Sequence, residues 1–238
     1  MSKLDLLVIS AHAADYVWRA GGVIASYVDR NKAVKVVCLS YGEKGESAEL
    51  WKSGKNLDEV KSIRRQESER AANIIGVPIE FWDWGDYPLN VDETRLMKLV
   101  RLIRETNPGV ILTHSPTDPF NIDHETVAEV VRKASILSIA NGVMPEIGVA
   151  NQTKIFGFEH HQSEISEFYP DVIIDITGAF EKKRKAMECF QTQKHLIEYY
   201  SMRAEIRGNH ARRISGLNKS KYAEAFTRVY PFVGDEFL

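Results

Sequence analysis

Cysteine is scarce in this chain. Only Cys38 and Cys189 occur among 238 residues, far apart and without CxxC spacing, which excludes a disulfide framework or a thiolate metal site and points to a reducing cytosol. Long hydrophobic runs are also missing, since no stretch approaches the roughly 18 apolar residues of a membrane span. The opening MSKLDLLVISAH carries a short apolar segment interrupted by Asp5; it is too brief for the apolar region of a signal peptide and reads as a buried strand. Charge of one sign is not in excess. With 31 Lys and Arg against 33 Asp and Glu, the formal net charge is −2, which excludes a phosphate-tracking surface for nucleic acid. Gly42, Gly45 and Gly54 do not form a GxGxxG loop opening a helix, so a dinucleotide site is excluded despite the strand pattern.

What remains is a chain with 44% hydrophobic residues, too apolar to be disordered. Short runs rich in Val, Ile and aromatics cover residues 4–10, 33–41, 79–84, 110–113, 154–158 and 172–176, each ending near Gly, Pro, Asp or His, and they read as strands. Helical spacing covers 57–75, stopped by Gly76 and Pro78, then 93–105 and 125–139. Alternating strands and helices predict an α/β fold, Rossmann-like, with a mostly parallel sheet covered on both faces. Residues 179–200 read as one long helix or two, and 203–238 show no strand period. The expectation is a single domain over 1–238 with 179–238 a C-terminal helical extension that wraps the domain or meets another subunit.

In an open parallel sheet the functional crevice lies beyond the carboxyl ends of the strands. Here those ends carry His12 and Asp15, Glu43 and Glu46, Asp83 and Asp86, His114 with Asp118, Asp123 and His124, and Glu159 with His160 and His161. An imidazole and a carboxylate three residues apart can turn inward together, and a second His from another strand end completes a three-ligand metal set with an open position. His124 is the best third ligand. Taken alone, HxxD also fits a turn cap with a packed histidine.

The motifs narrow this choice. Ala11-His12-Ala13-Ala14-Asp15-Tyr16 stands where the zinc-dependent LmbE-like (PIG-L) N-deacetylases have AHPDDE. Ser40 to Gly45 stands for their TxGExG turn, Arg64 to Glu67 with Ile75-Gly76-Val77 for an RxxE helix ending LGV, and Asn121-Ile122-Asp123-His124 for HPDH. The chain resembles that family over roughly its first 180 residues. The resemblance implies the LmbE-like fold and zinc held by His12, Asp15 and His124. Two positions depart from the pattern: the deacetylase general base is replaced by Ala14, and the first His of HPDH by Asn121. Each such proton carrier is worth about 10²–10⁴ in rate.

The string SAHAADYVWRAGG, the run Ser40 to Ser47, and His210-Ala211-Arg212-Arg213 resemble a hydratase branch of the family. The resemblance implies addition of water to the conjugated double bond of 4-oxalomesaconate, or its enol tautomer 4-carboxy-2-hydroxymuconate, giving 4-carboxy-4-hydroxy-2-oxoadipate in gallate and protocatechuate breakdown. That chemistry needs a Lewis acid at the developing oxyanion, a base for water and an acid for carbon.

Glu46 and His161 are the expected acid and base, with Glu49 and His160 in reserve. A small polycarboxylate substrate also calls for guanidinium forks, and Arg64, Arg203, Arg207, Arg212 and Arg213 are the candidates. Arg64 could instead pair internally with Glu67, and the other four could form a solvated basic stretch. His114 is expected beside the metal rather than on it. Trp82, Trp84, Tyr87, Tyr199 and Tyr200 read as core or subunit contacts. The expected assembly is a homo-oligomer. The alternatives are an N-acyl deacetylase acting on an amino-sugar conjugate and an inactive metal-binding module.

Overall fold

Strand β1 (Leu6–Ser10) is buried along its whole length, LLVIS. Leu6 and Val8 join one apolar cluster while Leu7 and Ile9 join another, because successive side chains of a strand point to opposite faces. A central strand of this kind demands cover on both sides. In the computed structural model, which describes residues 3–216 and 218–234, the helices are α1 (Asp15–Asp29), α2 (Ala48–Lys52), α3 (Leu57–Ile75), α4 (Glu93–Thr106), α5 (Ile122–Ser138), α6 (Phe180–Met187) and α7 (Leu196–Ser215), and all but α2, which buries no residue, supply that cover. Residues of α1, α3, α6 and α7 build the first cluster, and residues of α4 and α5 the second. No helix among the described residues is long and apolar enough to cross a membrane.

The remaining strands are β2 (Val34–Cys38), β3 (Ile79–Phe81), β4 (Val110–Thr113), β5 (Lys154–Phe158), β6 (Val172–Asp175) and β7 (Ala223–Arg228). The seven-stranded order is β3-β2-β1-β4-β5-β7-β6. Strands β1 to β5 pair in parallel, and β7 runs antiparallel to both β5 and β6. The order reverses between β2 and β4, on either side of β1. The carboxyl end of β1 is therefore the switch point where ligands bind in such sheets.

Three features differ from the sequence reading. Helix α1 follows β1 directly. Every residue from Asp15 to Ala25 is buried, so it shows no polar stripe that would reveal a helical period. Helix α5 starts at Ile122 rather than 125, with the Asn121 side chain accepting from the Asp123 amide, which brings His124 into its first turn. The third correction concerns 179–238, which is not purely helical: β7 lies inside the sheet.

Glu224 of β7 explains how this last segment is tied in. Its carboxylate accepts from the amides of Gly22 and Val23 in α1 at 2.9 and 2.8 Å. Lys183 of α6 donates to Glu224 at 2.7 Å and to the Trp18 carbonyl at 2.9 Å. A Cβ at position 22 would lie 2.4 Å from Ile176 Cδ1, so only glycine admits this approach of α1 to the end of β6.

Candidate active site

The turn after β1 is built by local hydrogen bonds. Ser10 Oγ donates to the His12 carbonyl at 2.8 Å, and the His12 amide donates to Asp15 Oδ2 at 2.9 Å. His114, just beyond β4, accepts from the Ala11 amide through Nε2 at 2.9 Å, fixing the turn against the neighbouring strand end. In the loop after β2, Gly42 has φ +69°, and a Cβ there would lie 3.0 Å from Glu46 Oε2 and 3.2 Å from His12 Cβ. Asp86 anchors the same loop by accepting from the Lys44 and Gly45 amides at 3.0 and 2.8 Å. Glu46 is thereby carried over His12.

Four donor atoms converge there. His12 Nδ1 lies 3.1 Å from Asp15 Oδ2, 3.3 Å from Glu46 Oε1 and 3.3 Å from His124 Nε2, and His124 Nε2 lies 3.4 Å from Asp15 Oδ2. A tetrahedral metal with ligands at about 2.0–2.1 Å holds its ligand atoms about 3.3–3.4 Å apart, so this spacing fits a bound divalent ion. The far nitrogens are backed by carboxylates: Asp123 Oδ2 stands 3.2 Å from His12 Nε2, and Asp118 Oδ2 stands 2.7 Å from His124 Nδ1. Such carboxylate–histidine pairs fix the ring and raise its basicity as a ligand. Asp123 is itself held by the Tyr87 and Leu89 amides at 2.9 and 2.8 Å.

The protonation pattern agrees with a cation at this point. Burial alone would lower the pKa of His12, yet Glu46, Asp123 and Asp15 together raise it well above its ordinary value. The cluster therefore calls for positive charge. Burial works against ionisation of Asp15 as well, but His124 and His114 hold its carboxyl well below the usual range. His114 is pushed the other way, well below its usual value, by burial and then by His124, whose ring stacks on it with centroids 3.9 Å apart. A neutral His114 beside the cluster suits the place expected for it.

A cleft of about 200 Å³ opens over the cluster, lined among others by Glu46, Asn121, His124, His161, Gln193 and Arg19. His161 therefore lines the same cleft as Asp15 and His124. Burial, with Arg19 and Arg203 nearby, pushes its imidazole down to about 4. A histidine titration by NMR is expected to show His161 neutral at pH 7 and taking a proton only near pH 4. The folded-state pKa lies below the ordinary 6.5, so this ring contributes stability above pH 6.5 that is lost as pH falls from there toward 4.

The other expected residues fall elsewhere. Glu49 is exposed on α2 and pairs with Lys52. His160 turns away to Ser166 Oγ at 2.6 Å. Arg64 is fully buried and spent internally: Nε donates to the Tyr41 carbonyl, Nη1 to Thr192 and Glu67, and Nη2 to Glu46 Oε2 at 3.2 Å. It holds Glu46 in place. Arg203 donates to the His160 carbonyl, Glu164 and Tyr199, while Arg207 forks onto Glu159. Arg212 donates to the Ser220 carbonyl and Arg213 to Asn209. None of these five lines the cleft. Tyr87 and Tyr200, expected as core or contact residues, do line it.

The two departures from the deacetylase pattern have structural explanations. Ala14 is buried in the apolar core at the start of α1. Asn121 caps α5 with its side chain. Neither can carry a proton.

A mostly parallel sheet with helices on both faces and a His-Asp-His cluster at the switch-point strand defines the class. The chain belongs to the PIG-L family, described as GlcNAc-PI de-N-acetylase, whose pattern matches residues 7–135. Within that class it is 42% identical over 231 residues to the 4-oxalmesaconate hydratase of Pseudomonas putida (strain KT2440), spanning 95% of this chain and 90% of that protein. The crystal structure of GalB, the 4-carboxy-2-hydroxymuconate hydratase from Pseudomonas putida KT2440, matches with a TM-score of 0.93 and 41% identity over 100% of this chain and 99% of the other. The N,N'-diacetylchitobiose deacetylase from Pyrococcus horikoshii matches with a TM-score of 0.75 and 23% identity, covering 94% of this chain and 83% of that one; it shares the fold.

Proposed function

We propose that this chain is a metal-dependent hydratase that adds water to the conjugated double bond of 4-oxalomesaconate, reached directly or from its enol tautomer, to give 4-carboxy-4-hydroxy-2-oxoadipate. The observation that carries this reading is the pair Ala14 and Asn121 in an otherwise complete metal site of a family of amide hydrolases. The His-Asp-Glu donor set is kept, while the residues at the deacetylase proton-carrier positions differ. The 42% identity to a hydratase supports the same reading.

His12, Asp15 and His124 would hold the ion, with Glu46 the fourth donor nearby. Two imidazoles and one carboxylate at this spacing suit zinc, although Co²⁺, Mn²⁺ and Fe²⁺ accept the same donors. When bound, the ion supplies Lewis acidity for the oxyanion that develops on the substrate. The remaining roles belong to side chains. Glu46, with Oε2 anchored by Arg64 and Gln193 at 3.2 and 3.4 Å, takes a proton from the attacking water as the water oxygen bonds to the alkene carbon that bears the 4-carboxylate. His161 passes a proton to the other alkene carbon, so that one water is added whole across the double bond. A ring that is neutral at rest can also take the enol proton and return it to carbon.

Homo-oligomerisation is the further part of this reading. Met202 and Ile206 of α7 are 56% and 43% exposed, and Ile165 and Tyr169 are 75% and 78% exposed. Arg203 of α7 donates to Glu164, so the two segments adjoin, and exposed apolar side chains on adjoining segments favour contact with a second copy.

The test is a direct assay. Purified protein is mixed with 4-oxalomesaconate and, separately, with N-acetylglucosaminyl conjugates. Loss of the substrate's conjugated absorbance without acetate release is expected. Acetate release would establish the deacetylase, and metal without turnover of either would establish an inactive metal-binding module.

A further inference from the structure

We infer that Arg19 is the carboxylate anchor of the cleft, a specificity-determining residue that binds one carboxylate of the substrate through its Nη2 edge. The inference rests on the hydratase reading above. Among the described residues lining the cleft, Arg19 is the only Lys or Arg. It is 7% exposed, so its guanidinium is ordered by packing before any ligand arrives.

Its donors are only partly used. Nε donates to Asp15 Oδ1 at 3.3 Å and Nη1 to the Glu159 carbonyl at 3.1 Å, whereas Nη2 has no hydrogen-bond partner among the described residues. Asp118 Oδ2 stands 4.0 Å from Nη1, beyond a hydrogen bond and already engaged by His124. The nearby carboxylates thus serve the two histidines first. A buried cation with an open, planar donor edge is the group a carboxylate meets best. Arg203 Nε also lacks a partner, but Arg203 does not line this cleft, which leaves Arg19 to read the anion there. Its position also ties anion binding to the reacting centre: Nε bonds Asp15 Oδ1, while Oδ2 of the same carboxylate belongs to the donor cluster.

The test compares wild type with Arg19→Met and Arg19→Lys, all loaded with metal, in tricarballylate binding by calorimetry and in hydration kinetics. Tricarballylate serves as a non-reacting tricarboxylate. Arg19→Met is expected to weaken tricarballylate binding and raise KM by about 10- to 100-fold, the range for a lost charge-assisted contact, with metal stoichiometry unchanged. Arg19→Lys keeps the charge without the fork and is expected to fall between. Should Arg19→Met fail to fold, Arg19→Lys decides alone: several-fold weaker tricarballylate binding supports the anchor, and unchanged binding overturns it. Unchanged binding and KM in Arg19→Met overturn it too, as does loss of metal with kcat reduced at constant KM, which would make Arg19 a positioning residue for Asp15. If wild type hydrates nothing, the hydratase reading fails, while the calorimetric comparison still decides whether Arg19 binds carboxylates.

Discussion

Glu46→Gln lowers kcat for hydration by about 10²–10⁴, the contribution of a single positioned proton carrier, while the metal stays bound. The physical reason lies in how little else changes. Glutamine has the same size and still accepts from Arg64 and Gln193 at Oε1, the contacts that hold the glutamate at 3.2 and 3.4 Å. It cannot take a proton from water. Steady-state kinetics alongside metal analysis checks this. Loss of metal in step with activity would instead make Glu46 an obligatory ligand, a role that its 3.3 Å approach to His12 also permits geometrically.

Exhaustive chelation abolishes hydration, and stoichiometric zinc restores it. The same treatment lowers the thermal midpoint, because a ligand bound only by the native state contributes about 4 kcal/mol when its free concentration is about a thousand times its Kd. Asp15, Glu46 and Asp123 crowd one buried imidazole, and without a cation that charge is met only by His12, by Arg19 on Asp15 and by Arg64 on Glu46. Activity assays and thermal melts before and after metal return measure both effects. Full activity in metal-free protein would overturn the assignment of His12, Asp15 and His124.

The sheet and the convergence of His12, Asp15 and His124 were legible in the sequence because strand ends concentrate polar residues after apolar runs, as at Ser10 to Asp15 and Thr113 to His124. Glu46 and His161 were legible for the same reason, each lying a few residues beyond a strand. The guanidinium partners were not. Whether Arg203 or Arg207 meets a substrate depends on where Glu159 and Glu164 lie in space, and sequence separation carries no such information. Arg19 was hidden by its helix: with eleven consecutive buried residues from Asp15 to Ala25, α1 shows no amphipathic stripe, and an arginine in a buried stretch offers no signal of facing a cleft. Strand β7 was missed for a related reason. Glu224 interrupts its apolar run, and only the tie to Lys183 and the α1 amides makes a buried carboxylate tolerable there.

Strand β7, last of the seven in chain order, sits between β5 and β6. During synthesis β6 therefore emerges with no strand to join until residues 223–228 have followed it. Glu224 arrives on that same strand, so the clamp on α1 arrives with it. A nascent chain that already contains His12, Asp15, Glu46 and His124 still lacks the segment that secures the helix bearing Asp15 and Arg19. A strand whose Glu224 follows Gly22 of α1 by 202 residues is the one that clamps that helix.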